Sequence, residues 1–204
     1  MISLIDYGVG NINAFLNIFK QLGITAGKAS SADDVKRASK LILPGVGAFD
    51  DAMQRLNNSG MLDALQEAVM VNKTPVIGIC VGMQMLAERS DEGVMPGLGW
   101  IKGEVKRFDP ATISHITKFP HMGWNDVNPV RDSPLFAGLE THARFYFLHS
   151  YYYQCDDPAD VLATSEYGVR FASAINHKHI YGIQCHPEKS HHFGIQLLQN
   201  FANL

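Results

Sequence analysis

The stretch Thr74–Gln84, TPVIGICVGMQ, constrains this chain most. Pro75–Ile79 is an apolar run rich in β-branched residues, which predicts a short buried strand. From Gly82 the apolar residues Met83, Leu86 and Ala87 recur at helical spacing. Strand, sharp turn and helix therefore follow one another, with Cys80 between Gly78 and Gly82. That is the order of a nucleophile elbow, with cysteine in place of serine. Glycines suit it because a Cβ on either flank would crowd a strained turn. The following helix is expected to point its N-terminal N–H groups at the sulfur and favour the thiolate. A free cysteine is more often a small buried hydrophobe, so the partners of Cys80 must decide its role.

The rest of the chain limits the choices. A length of 204 residues suits one domain, residues 1–204, with room for a real core. A net charge of −3 with scattered basic residues leaves no nucleic-acid footprint. No apolar run reaches the roughly 18–20 residues of a membrane span. The start, MISLIDYG, lacks a basic region and a small-residue cleavage site, so it does not read as a signal peptide. Three cysteines, Cys80, Cys155 and Cys185, fit a reducing cytoplasm better than a disulfide framework.

Strands are expected at Met1–Ile5, Ile24–Ala29 and Lys40–Leu43. Helices are expected at Ile12–Leu22, from Ser31 as cap through Ala38, and at Asp50–Leu56 and Met61–Val71. Alternation up to residue 88 predicts an α/β fold with a doubly wound, mostly parallel sheet. Sites in such sheets lie beyond the carboxyl ends of strands, where Pro44–Gly47 and the Cys80 turn both fall. Gly8-Val9-Gly10 resembles a dinucleotide fingerprint, but Asn13 stands where a small residue is required. After Arg89 the helices give way to strands at Trp100–Phe108, Phe119–Val127, Arg144–Tyr153, Val161–Thr164, Ala172–Asn176 and His179–Gln184. This predicts an antiparallel extension packed on the parallel sheet, closed by a helix over Ser190–Leu204.

A thiolate nucleophile needs a base and a group to orient that base. His177 and His179, or His191 and His192, could suggest metal ligands. Without a cysteine pair or a His-Glu-x-x-His pattern they predict no metal site. His121 and His149 fall in strands and could be satisfied core residues. His186-Pro187-Glu188 follows an apolar strand directly. If the segment stays extended, His186 and Glu188 project to the same side, and Glu188 could hold the imidazole tautomer. Two solvated polar residues in a surface turn would carry the same sequence.

Together, Gly78–Gln84, Pro44–Gly47 and His186–Ser190 resemble the class I (triad-type) glutamine amidotransferases. Asp6–Asn11 (DYGVGN), Pro120–Asn125 (PHMGWN) and Tyr146–Tyr152 (YFLHSYY) resemble the glutaminase-subunit branch serving imidazole glycerol phosphate synthases. The likeness spans nearly the whole chain and implies Cys80, His186 and Glu188 as catalytic triad. It implies Val81 and Gly47 N–H groups as oxyanion donors, Gly47 lying in the Pro44–Gly47 turn, which reorients in the family when a partner is engaged. It implies glutamine held by Gln84, Glu92 in a mobile loop, and the backbone of His149, Ser150 and Tyr151. It places Asn11, Trp124, Tyr146 and Lys189 at the cyclase interface or ammonia exit. No cofactor and no metal are implied. The partner would be a cyclase subunit in a heterodimer that uses ammonia to make imidazole glycerol phosphate and AICAR for histidine biosynthesis. A paralogous role, supplying ammonia to amidinate a surface-polysaccharide sugar, fits the same motifs. So does the weaker alternative of a non-catalytic regulatory subunit. Val81, Cys185 and Ala14 depart from the family's commoner leucine, phenylalanine and serine. On a strand Cys185 would face away from His186, which makes it a core residue.

Overall fold

The computed structural model describes residues 1–114 and 118–204. The first half alternates as expected: β1 (Ile2–Ile5), α1 (Ile12–Gln21), β2 (Ala26–Ala29), α2 (Ala32–Lys36), β3 (Lys40–Gly45), α3 (Phe49–Asn58), α4 (Leu62–Gln66), β4 (Val76–Cys80) and α5 (Val81–Gln84). Local signals act where they should. Asn11 caps α1 through Ala14 N, and Ser31 caps α2 through Asp34 N. Beyond α4 the chain continues as a π turn to Val71. The second half is β5 (Arg89–Ser90), β6 (Gly103–Arg107), β7 (His121–Asp126), β8 (Asn128–Pro129), β9 (Arg144–His149), β10 (Tyr151–Cys155), β11 (Val161–Tyr167), β12 (Val169–His177), β13 (Ile180–Ile183) and α6 (His191–Asn203).

Among the described residues one 11-stranded sheet runs β2-β1-β3-β4-β13-β12-β10-β6-β5, with β11 on β12 and β8 on β11. From β2 to β13 every pairing is parallel. Beyond β13, β12, β10 and β6 pair antiparallel. The expected extension is thus not stacked on the parallel sheet. It continues the same sheet, because β12 returns beside β13 and extends its ladder. Only β7 and β9 leave it, as a separate two-stranded ribbon. The single strand expected over Arg144–Tyr153 is two strands. At Ser150 the chain passes from the ribbon (β9) to the main sheet (β10), and a strand pattern cannot signal a change of sheet.

β1, β3 and β4 are buried almost without interruption, as befits parallel strands covered on both faces. β3 also runs two residues further than expected. Pro44 and Gly45 stay in register with Ile79 and Cys80, so only Val46 and Gly47 form the turn. No helix among the described residues is long and apolar enough to cross a membrane.

Candidate active site

Cys80 ends β4 with φ 55° and ψ −113°, a backbone conformation that residues with a Cβ rarely hold. The neighbouring glycines make it possible. A Cβ on Gly78 would lie 2.5 Å from the Gly82 carbonyl oxygen, and one on Gly82 would strike the Leu43 carbonyl oxygen. The elbow is therefore packed backbone to backbone against β3, which brings Val46 and Gly47 beside it. Gly47 itself has φ +88° and open space around it.

The helix after Cys80 is shorter than the apolar pattern suggests. α5 has four residues. The carbonyls of Met85, Leu86 and Ala87 accept instead from Leu98, Trp100 and Gly99 N–H at 2.8–3.0 Å. A later loop has taken the bonds that would continue the helix. So short a helix sums few peptide dipoles, and the charge partner of Cys80 is a side chain. That partner is His186. Burial disfavours its charged form, but hydrogen bonds to Cys80 and Glu188 and the charges of both outweigh it, raising the imidazole to about 10.

His186 Nδ1 lies 2.9 Å from Glu188 Oε1, which leaves Nε2 to Cys80. Both side chains are nearly inaccessible. The expected reason for their meeting is corrected. Pro187–Lys189 is a 3-10 turn, not extended chain, with Pro187 at its first position where no N–H is needed. The turn, rather than strand alternation, wraps Glu188 back under the ring. Ser190 locks it: its hydroxyl donates to His186 O at 2.6 Å and accepts from Tyr146 N at 2.9 Å. His186 N in turn donates to Tyr146 O at 2.8 Å, stitching the turn to β9. Glu188 Oε2 is buried with no hydrogen-bond partner among the described residues, so this carboxylate depends on the imidazolium for compensation.

A cavity of about 450 Å³ opens over this group. Its walls hold Gly47, Cys80, Val81, Gln84, Glu92, His149, Ser150, Tyr151, His186 and Lys189, joined by Val46, Pro120 and Leu148. Glu188 sits behind His186. The exposed Glu88 does not line the cavity, whereas Glu92 does. The loop carrying Glu92 is tethered: Asp50 accepts from Val94 N and Met95 N at 3.0 Å, and Glu92 accepts from Phe49 N at 2.9 Å. Half-burial raises the Glu92 carboxyl; the Phe49 N–H opposes this and Asp50 adds to it.

Trp124 and Tyr146 face each other across β7 and β9. Trp124 stacks on His191 at 5.3 Å, and Lys189 Nζ lies 5.7 Å from the Tyr146 ring centre. Asn11 lies outside the cavity, on a loop pressed against Pro44, because a Cβ on Gly10 would touch that ring at 2.8 Å. The amide of Ala14 is already taken by Asn11, which makes the Gly8–Gly10 loop a poor phosphate cradle.

The sequence pattern alone misses three supports. Tyr7 donates to Pro44 O at 2.6 Å and so braces the strand leading to Gly47; burial, then the nearby Cys80 and Asp51, push its phenol up. Its place in the DYGVGN stretch is the available signal. Ser190 closes the His186–Ser190 stretch, which is its signal, whereas Gln184 carries no local signal, since Gln84 and Cys80 are distant in sequence. Two of the histidines weighed as metal ligands have structural partners. His177 meets Asp160 at 2.9 Å, His179 meets Val69 O at 2.8 Å, and no group of three possible metal ligands occurs among the described residues. Cys185 is buried, and burial, then Glu188, pushes its thiol well up, in keeping with a core role.

A family model, "Glutamine amidotransferase class-I", matches residues 3–203. The chain belongs to the class-I glutamine amidotransferases. This amidotransferase is 55% identical to the "Imidazole glycerol phosphate synthase subunit HisH" of Bdellovibrio bacteriovorus, 100% of each chain being covered. It is 48% identical to the protein of the same name from Leptospira interrogans, and 50% identical to "subunit HisH 2" of Pseudomonas aeruginosa, again over 100% of each chain. A crystal structure of a glutamine amidotransferase superposes with TM-score 0.76 at 17% identity, covering 100% of this chain and 99% of that one. A glutamine amidotransferase from Thermotoga maritima gives 0.64 at 18% identity, covering 92% of this chain and 75% of that one. At those identities the structures speak for the fold, which is the α/β class expected. Membership in a glutamine-hydrolysing family also sets aside the non-catalytic regulatory reading.

The amidotransferase buries one further titratable pair beside the cavity. His121 Nδ1 lies 2.8 Å from His149 Nε2, and His149 Nδ1 lies 2.7 Å from Tyr151 O. Burial, then His121, lowers His149 to about 3, against the Tyr151 carbonyl, which raises it; the charge of His186 adds to the lowering. The unfolded chain takes up this proton below about 6.5, and the folded chain does not until about 3. The contribution is therefore complete above pH 6.5 and is lost as pH falls toward 3. Urea unfolding at pH 6.5 and pH 5 is expected to show a loss larger by about 2 kcal/mol in the native chain than in His149→Gln, at ~1.4 kcal/mol per pH unit. Equal losses would show that His149 charges normally.

Proposed function

We propose that this chain is the glutaminase subunit of an imidazole glycerol phosphate synthase. As a single domain over residues 1–204, it hydrolyses L-glutamine and passes ammonia to a cyclase subunit. The observation that carries the chemistry is Cys80 held at φ 55° against an imidazole that Glu188 orients at 2.9 Å. Cys80 attacks the carboxamide carbon. The oxyanion forms between the N–H groups of Val81 and Gly47. His186 gives its proton to the departing ammonia, then activates water against the thioester and releases glutamate. Gln84, Glu92 and the 149–151 backbone hold the amino-acid end, Glu92 as partner of the α-ammonium. The place of His149, Ser150 and Tyr151 in the cavity wall supports the last assignment.

The partner reading rests on the full-length likeness to subunits of a synthase. It also rests on exposed apolar side chains: Val46 and Leu148 line the cavity, and Met122 and Trp124 are exposed on the β7–β9 ribbon that carries Leu148. Asn11, Trp124, Tyr146 and Lys189 belong to that face or to the ammonia exit. Gly47 has the steric freedom to reorient when the partner docks. Ammonia release is expected to rise at least about 100-fold when the cyclase, together with its nucleotide substrate, is added to the free chain, the worth of one oxyanion donor. Equal rates with and without the partner would remove the gating role of Gly47. The same motifs also fit a second reading, a paralogous subunit that supplies ammonia for amidination of a surface-polysaccharide sugar; the numeral in the Pseudomonas name implies only that an organism can hold more than one such subunit. Adding each synthase in turn separates the two: only the true partner raises the rate.

A further inference from the structure

A chain of buried amides joins the cavity wall to the nucleophile, and its hydrogen-bond directions follow from chemistry. Gln84 Nε2 lies 3.3 Å from the Tyr151 carbonyl oxygen and 3.0 Å from Gln184 Oε1. A backbone carbonyl only accepts, so the Gln84 atom facing it must be the NH2. The second hydrogen of that NH2 then requires an acceptor, which Gln184 supplies as Oε1. That leaves the Gln184 NH2 turned to Cys80 Sγ, at 3.7 Å. Gln184 is fully buried at the end of β13, and Gln84 is 2% exposed at the cavity wall. With both Gln84 hydrogens committed, its Oε1 is the atom left for the cavity, and no described residue donates to it. Without Gln184, the Gln84 carboxamide would keep one anchor at 3.3 Å and could turn about its terminal bond, exchanging an acceptor for a donor.

We propose that Gln184 is a positioning residue that fixes the Gln84 carboxamide with its oxygen toward the cavity. The wall thereby selects an amino-acid substrate through a group that donates hydrogen bonds, an ammonium or a carboxamide NH2. The proposal rests on the glutaminase reading above. It concerns recognition more than chemistry, because Gln184 reaches substrate only through Gln84.

The test is steady-state kinetics of the assembled complex with the cyclase for native chain, Gln184→Leu, Gln84→Leu and the double variant. Alkylation of Cys80 by iodoacetamide is followed alongside as a report on an intact nucleophile. Gln184→Leu is expected to raise KM for glutamine about tenfold or more, as for a lost donor–acceptor match, with a smaller change in kcat. In the Gln84→Leu background the same substitution is expected to change KM less than about twofold, since the residue through which it acts is gone. Gln184→Glu keeps an acceptor for Gln84 but replaces the NH2 facing Cys80 Sγ with a carboxylate oxygen, so it is expected to hold KM within about threefold of native while kcat and alkylation of Cys80 fall. It also serves as the second variant if Gln184→Leu folds poorly. An unchanged KM in Gln184→Leu would overturn the proposal, as would an equal KM increase with and without Gln84. If the native complex releases no ammonia from glutamine, the glutaminase reading fails. If it does and the variants behave alike, only the positioning role fails.

Discussion

Cys80→Ala is expected to lower glutamine turnover by at least about 10⁴-fold in the complex while leaving the thermal midpoint nearly unchanged. Removing the attacking atom abolishes the covalent route, and what survives is binding and the oxyanion site. The fold tolerates the change because alanine keeps the Cβ already accommodated at φ 55° and deletes only the sulfur. A folded variant with more than about one-tenth of native turnover would mean that the nucleophile lies elsewhere, and Cys155 and Cys185 would have to be considered. Both are poor candidates. Burial pushes Cys155 up to about 12, and Cys185 is also pushed well up, so neither readily supplies a thiolate.

Gly82→Ala is expected to cost about 3 kcal/mol or more in equilibrium unfolding, a large loss for a single methyl group. The methyl would land on the Leu43 carbonyl oxygen, with the Pro44 carbonyl carbon at 3.2 Å. Backbone on both sides leaves nothing flexible to move aside. Relief requires β3 and α5 to separate, which also draws Gly47 away from Cys80, so activity should fall with stability. Gly23→Ala is the comparison. Gly23 has φ +68° and no atom within 4 Å of an added Cβ, so it bears only the conformational penalty of about 1 kcal/mol. Similar costs at the two positions would show that the elbow is less tightly packed against β3 than the backbone contacts require.

Much of the first half was legible because its signals are local. Apolar runs, caps at Asn11 and Ser31, and the Gly78–Gly82 frame all act within a few residues. The site was legible as a set of motifs, and the cavity gathers Cys80, His186, Gln84, Glu92 and the 149–151 backbone as expected. What was not legible depends on distant strands. The apolar pattern Met83, Leu86, Ala87 read as helical, but Leu98–Trp100 captured the carbonyls of Met85, Leu86 and Ala87. Ser150 looked like strand interior, yet two sheets meet there. Alternation gave the right partners, His186 and Glu188, for the wrong reason, since a 3-10 turn joins them. Gln184 read as the polar end of a strand until Gln84, far away in the chain, was beside it.

The proposed mechanism passes through a covalent intermediate on cysteine, and the chain has three cysteines that could carry it. The most direct measurement is peptide mass spectrometry on the complex, acid-quenched during turnover of isotopically labelled glutamine. The expected result is a γ-glutamyl thioester on the peptide containing Cys80 and on neither peptide containing Cys155 or Cys185, absent in Cys80→Ala. A thioester on another cysteine, or turnover with no label on Cys80 under conditions that trap the intermediate, would contradict the assignment of Cys80 as nucleophile.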